Sequence, residues 1–315
     1  MVLVYTHADC LGHEPGPGHP ESPSRLKAVL RALDDPACTQ TKRFDAPLAT
    51  REQLTRVHSP AMLDAVIGAS PLRGQIFLDA DTVMSPGSLI AGLRAAGAVC
   101  AAVDAVFSSP QRRAFCAVRP PGHHATRDTA MGFCLFNNVA VAAAHALAEY
   151  RIERIAIVDF DVHHGNGTAD IFHADARVMY ASTHQSPLYP GTGGVHQCGV
   201  GNLVHVPLPT AAGTLEFRAA FETRILPALD HFAPQLVLIS AGFDAHRLDP
   251  LASLNLAAED FSWVTEMLVG IANRHAEGRV ISSLEGGYSL NALYESTIAH
   301  VNALSNPNPG DELRR

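Results

Sequence analysis

No Cys-X-X-Cys pair, no cluster of Lys and Arg and no linker-like stretch occurs in this sequence, and each absence narrows what the chain can be. The six cysteines, at 10, 38, 100, 116, 134 and 198, are scattered, which reads as reduced thiols rather than a disulfide framework. Cys116 and Cys134 read as small core residues, not nucleophiles. With 23 Lys and Arg against 31 Asp and Glu, the formal charge is −8, which argues against a nucleic-acid partner. An acidic surface instead tolerates or attracts cationic substrates. No window reaches the ~18–20 apolar residues that cross a bilayer, so no membrane association is expected. The first apolar run, Val2 to Tyr5, meets His7 and Asp9 before a signal-peptide core forms. These absences predict a cytoplasmic chain. Without a Ser/Gly-rich linker or an internal repeat, 315 residues read as one domain over 1–304 with a flexible tail over 305–315.

What is present is concentrated in one stretch, IAIVDFDVHHGNGT, from Ile155 to Thr168. Its apolar first half predicts a strand buried on both faces. In a strand unwinding into a loop, Asp159, Asp161 and His163 alternate by two and can leave the same side of the chain. Gly165 and Gly167 permit a tight turn, and Asn166 and Thr168 are expected to cap the helix that follows.

A lone Asp-X-His would be a solvated acidic loop, but other polar clusters answer this one. His123 and His124 follow Pro120-Pro121-Gly122, where prolines end a strand over 114–118 and hold the histidines on a constrained turn. Gly132-Phe133 then supplies an aromatic wall. Asp244 follows an apolar run over 236–240, and Tyr288 follows the strand 279–284 on a Gly-Gly turn. Three features keep two readings. Asp79 and Asp81 are either turn and capping residues or a carboxylate that holds the substrate backbone. Tyr189, before Pro190-Gly191, is either a second wall or ordinary turn packing. The stiff loop CLGHEPGPGHPESPSRL carries His13, Glu14, His19 and Glu21 either as a cleft rim or as a solvated surface. Arg25 is expected to be buried against an unidentified carboxylate.

Strands alternating with helices predict an α/β fold with a mostly parallel sheet covered on both faces. Ligands in such folds bind outside the carboxyl ends of the strands, which gathers these distant clusters into one pocket. Asp161, His163 and Asp244 then make three ligands with a fourth position open, the pattern of catalytic zinc. Zinc lowers the pKa of water and polarises a carbonyl. The His pair supplies acid-base catalysis and Tyr288 a hydrogen bond to the oxyanion. These are the parts of an amide hydrolysis.

RPPGHHA, GFCLFNN, VDFDVHHGNGT, PGTG, SAGFDAH and EGGY, with HPESPSRL near the N-terminus, resemble the zinc-dependent histone deacetylase family through nearly the whole chain. The resemblance implies the three-layer arginase/deacetylase fold, with zinc on Asp161, His163 and Asp244. It makes His124 the general base, Asp159 the partner of His123, and Tyr288 the phenol that polarises the carbonyl. It places Gly132, Phe133 and Tyr189 in a tunnel for an acyl-lysine stem. It also implies a potassium ion on Asp159, Asp161, His163, Ser182 and Thr183, mostly through backbone carbonyls. Asn166 stands where class II members carry Asn, so the chain resembles class II and bacterial amidohydrolase members. Polyamine-cleaving relatives place an acidic gatekeeper seven residues after the last zinc ligand. Here that position is Leu251, which favours acyl-lysine in a protein or peptide over an acetylpolyamine, although Glu14 and Glu21 keep the polyamine reading open. Two further readings stand beside these, a catalytically silent metal-binding interaction module and a dimanganese ureohydrolase of the arginase type. The oligomeric state, monomer or homo-oligomer, is left open.

Overall fold

Runs of Val, Ile, Leu and Ala too short for helices become strands buried on both faces, and Ala-rich amphipathic segments become the helices between them. The computed structural model describes residues 1–306. In chain order the elements are β1 (Val2–Thr6), α1 (Pro23–Leu33), β2 (Thr41–Asp45), α2 (Arg51–Thr55), α3 (Pro60–Gly68), β3 (Ile76–Phe77), β4 (Val83–Met84) and α4 (Ser88–Ser108). There follow β5 (Arg113–Cys116), α5 (Asn138–Glu149), β6 (Ile155–Asp159), α6 (Asn166–Phe172), β7 (Val178–Gln185), β8 (Leu203–Leu208), α7 (Thr214–Ala220) and α8 (Leu226–Phe232). The chain closes with β9 (Leu236–Ala241), α9 (Ala258–His275), β10 (Val280–Leu284) and α10 (Leu290–Ser305). A π-helical turn, Phe221–Ile225, joins α7 to α8.

Eight strands form one sheet in the order β2-β1-β5-β10-β9-β6-β7-β8, every neighbouring pair parallel. Helices cover both faces, α4 packing with α5, and α1 and α9 with α10, in a three-layer α/β sandwich. The inner strands β6, β9 and β10, mostly apolar in sequence, are buried at every position. Because all strands run the same way, the loops after β5, β6, β9 and β10 open on one edge, and they carry His123, Asp161, Asp244 and Tyr288.

Three expectations are corrected. Helix α4 is long and apolar enough to cross a membrane, with a mean hydropathy of 1.7 in its most apolar window, although no such window was expected. Here 61% of that window is buried in the fold, and Arg94 on the same helix pairs with Asp9. Asn166 and Thr168 do not cap α6. Its N-cap is Gly165, without a side-chain cap, because Asn166 turns to His124 and Thr168 bonds to Asn137. Of the tail expected over 305–315, Ser305 still belongs to α10, and 307–315 lie outside the described residues.

Candidate active site

Asp161 and His163 leave the end of β6, and Asp244 leaves the end of β9 beside it. Their ligand atoms lie within 4.8 Å of one another, the one such group among the described residues. His163 Nδ1 stands 3.0 Å from Asp161 Oδ1 and 3.2 Å from Asp244 Oδ2. The backbone holds both carboxylates. Gly286 N donates to Asp161 Oδ2 at 2.8 Å, and Val162 N to Asp244 Oδ1 at 2.9 Å. A Cβ on Gly242 or Gly286 would run into these carboxylates, so only glycine lets the main chain close over them.

The electrostatics ask for a cation. Burial, and then Asp161, push the Asp244 carboxyl up from its ordinary value, because two buried carboxylates cannot both ionise at neutral pH without positive charge beside them. His163 is raised to about 10, with burial opposing and the two carboxylates prevailing. Asp244 Oδ2 is buried, with the His163 ring nitrogen 3.2 Å away but no well-aligned hydrogen-bond donor. Two carboxylates and an imidazole, with one oxygen unspent, fit a zinc ion of open coordination. The dimanganese reading needs a second set of bridging ligands, and no second group converges among the described residues.

The two histidines of the Pro-Pro-Gly turn differ in what orients them. His123 Nδ1 lies 2.9 Å from Asp159 Oδ2, and Asp161 and Asp159 outweigh burial to raise this imidazole to about 10. His124 Nδ1 lies 2.7 Å from Asn166 Oδ1. Burial, then the charges on His123 and His163, hold this ring well below its ordinary value. Asn166 Nδ2 donates to the His124 carbonyl, which sets the amide so that His124 Nδ1 is the donor and Nε2 is left free. One imidazole is therefore charged and its neighbour neutral, with ring centroids 4.1 Å apart. Glu285 braces the turn beneath them, accepting from Gly122 N at 2.6 Å and His123 N at 3.2 Å.

Above this floor a pocket of about 230 Å³ is lined by Asp81, His124, Gly132, Phe133, His163, Leu188, Tyr189, Leu251 and Tyr288. Every residue expected to touch substrate is in that lining, together with Leu188. Gly132 and Phe133 both take positive φ, 57° and 67°, a strained setting for Phe that presents its ring to Tyr288. The Tyr288 phenol is held protonated, pushed well above its ordinary value by burial. Asp79 and Asp81 divide the two roles weighed for them. Asp79 Oδ1 closes the β3–β4 turn by accepting from Asp81 N and Thr82 N, and Asp81 faces the pocket.

The N-terminal loop corrects another expectation. Glu21 does not face a polyamine: it is 0% exposed and holds Arg119 through two bonds, with Arg25 and His13 completing the shell. His13 is buried with it. His19 is the loop residue beside the site, its ring 4.8 Å from Phe133. Arg25 finds in Glu21 the carboxylate sought for it, and donates to the carbonyls of Glu285 and Gly287 with its guanidinium 4.9 Å over the Tyr288 ring. The i,i+4 spacing of Glu21 and Arg25 is a local sign of the pair that the sequence reading missed, whereas Arg119 and Asp249, which accepts from Tyr288 N, gave no local sign.

Residues 19–304 match the histone deacetylase domain family. The chain is 39% identical over 278 residues to a histone deacetylase-like amidohydrolase of Pseudomonas aeruginosa, covering 86% of this chain and 73% of that one. It is 38% identical over 294 residues to a probable deacetylase of Archaeoglobus fulgidus, covering 91% and 81%. A crystal structure of the HDA15 HD domain superimposes with a TM-score of 0.91 at 35% identity, over 99% of this chain and 93% of that one.

Proposed function

This chain belongs to the histone deacetylase family, and from that premise we propose that it is a zinc-dependent amidohydrolase that removes acetyl or other acyl groups from lysine side chains. The observation that carries the reading is the pocket walled by Phe133, Leu188, Tyr189 and Leu251, which leads to His124, His163 and Tyr288. Asp161, His163 and Asp244 would hold the zinc, which when bound supplies a more acidic water and a polarised carbonyl. His124 is oriented as general base, its free Nε2 ready to take a proton. His123, oriented by Asp159, is placed to protonate the departing amine. Tyr288, its phenol kept protonated, donates a hydrogen bond to the oxyanion. The tunnel walls exclude water and align the stem.

An uncharged stem suits Leu251, and the burial of Glu21 removes one of two acids that a polyamine would have used. Acyl-lysine in a protein or peptide is therefore the proposed substrate, with acetylpolyamine as the alternative. Potassium belongs to the same proposal. Asp159 and Ser182 are partners in register on β6 and β7, but their side-chain oxygens serve His123, Tyr180, Asp161 N and His184. The ion would rest on main-chain carbonyls of Asp159, Asp161, His163, Ser182 and Thr183. Six unpaired cysteines support a cytoplasmic location.

The test is hydrolysis of an acetyl-lysine peptide, acetylputrescine and acetylspermidine side by side by the zinc-loaded chain. A kcat/KM at least tenfold higher for the peptide is expected. Preference for the polyamines would move the substrate, and no hydrolysis of any of them would point to longer acyl groups or to a binding role.

A further inference from the structure

The loop after β9 does more than deliver Asp244. Five residues on, Asp249 is 7% exposed, with its backbone N–H bound to the His246 carbonyl at 2.8 Å. Its two carboxylate oxygens serve different loops. Oδ2 accepts from Tyr288 N at 2.6 Å and Ser289 N at 3.3 Å, and Oδ1 accepts from Leu251 N at 3.0 Å. One rigid carboxylate therefore spans the backbone of the phenol-bearing turn and the backbone of the tunnel-wall residue that sets substrate preference. From the other side Arg25 holds the same turn through the Glu285 and Gly287 carbonyls. Tyr288 sits between the two anchors. Leu251, 37% exposed, is tied to the first of them and has one face in the pocket.

We infer that Asp249 is a positioning residue coupling the tunnel wall at Leu251 to the catalytic phenol of Tyr288, so that discrimination between a lysine stem and a polyamine is expressed in kcat rather than KM. The inference rests on the deacylase reading of the site. Its physical basis is short. A substrate that displaces Leu251 pulls on Oδ1, the planar carboxylate turns as a unit, and Oδ2 shifts the Tyr288 backbone. A displacement near 1 Å at a catalytic group costs about 100-fold in rate. Asn at 249 keeps one acceptor oxygen and sets an N–H against backbone donors on the other side, so it holds one loop and releases the other.

The experiment uses the full zinc-loaded chain with an acetyl-lysine peptide and acetylspermidine. Asp249→Asn is expected to lower kcat on the acetyl peptide about 10- to 100-fold, with KM changed less than threefold. In Tyr288→Phe, where the hydroxyl to be positioned is gone, adding Asp249→Asn should cost less than threefold more. Leu251→Ala should change the peptide-to-acetylspermidine ratio of kcat in the wild-type background and leave that ratio unchanged in the Asp249→Asn background. Additive losses in the Asp249–Tyr288 double variant, or an unchanged kcat in Asp249→Asn, overturn the coupling. If Asp249→Asn does not fold, Asp249→Glu, which keeps the charge and displaces it by one methylene, carries the same comparison. Wild type inactive on peptides but active on acetylspermidine would refute the lysine reading alone, and the same cycle run on acetylspermidine then decides the coupling. Inactivity on both overturns both.

Discussion

Tyr288 contributes one hydroxyl, and the site is arranged to keep it protonated and in place. Tyr288→Phe should lower kcat on an acetyl-lysine peptide by about 10²- to 10³-fold, the loss expected for one oxyanion donor. Its urea midpoint should stay near wild type, since no partner of the phenol oxygen is lost from the core. Glu21 is the reverse case, a residue far from chemistry on which stability depends. Glu21→Gln leaves Arg119 and Arg25 buried without their counter-charge, and unfolding stability should fall by about 3–5 kcal/mol in a denaturant titration. Residues of these two kinds were not equally legible. Asp161, His163 and Tyr288 sit at strand ends beside glycines, where local pattern shows them. Arg119 and Asp249 have ordinary local sequence, and their importance lies in partners 98 and 39 residues away, while Glu21 shows locally only its pairing with Arg25.

At the scale of elements, close approach decides what propensity alone would misjudge. Gly97 lies inside α4, where Ala is preferred by about 1 kcal/mol on helix propensity. A Cβ there would run into the Pro47 carbonyl, with Ala49 N 2.8 Å away, and main-chain atoms cannot step aside as a flexible side chain would. Gly97→Ala should therefore destabilise, by about 1–3 kcal/mol, with the sign read directly from the thermal midpoint. The buried strands and long helices follow from apolar period, which is why they are readable. The edge strand β2, TKRFD, and the two-residue strands β3 and β4 are not, because exposed or very short strands lack an apolar pattern. Asn166 misleads for a different reason. Its composition suits an N-cap, but a hydrogen bond to the His124 imidazole takes its side chain.

The whole molecule buries several histidines in the neutral form, which makes it acid-sensitive. His300 is enclosed, bonded to Thr265 Oγ1 at 2.6 Å and Ser282 Oγ at 2.8 Å, and burial lowers it to about 3. His58, bonded to the Thr126 carbonyl, is lowered by burial to about 4. Unfolded imidazoles take up protons near 6.5 while these folded ones do not, so the unfolded state binds more protons and stability falls as pH falls from 6.5 toward 4. His300 alone should account for about 2 kcal/mol lost between pH 7.5 and pH 5. His300→Gln should lose about that much less over the same interval, measured by urea unfolding at both pH values. Equal losses in the two proteins would contradict the burial of a neutral imidazole.

The same fold-wide arrangement, parallel strands ending on one edge, gathers Asp161, His163 and Asp244 from β6 and β9, the histidines after β5 and the tyrosine after β10 around one site, which we propose holds a single zinc. Hydrolysis of an acetyl-lysine peptide, followed while zinc is titrated into the metal-free chain, tests that claim most directly. Activity should rise from near zero and level off at one zinc per chain, and Asp244→Asn should flatten the rise. No hydrolysis at any zinc occupancy, or activity that requires two manganese ions per chain, would contradict it.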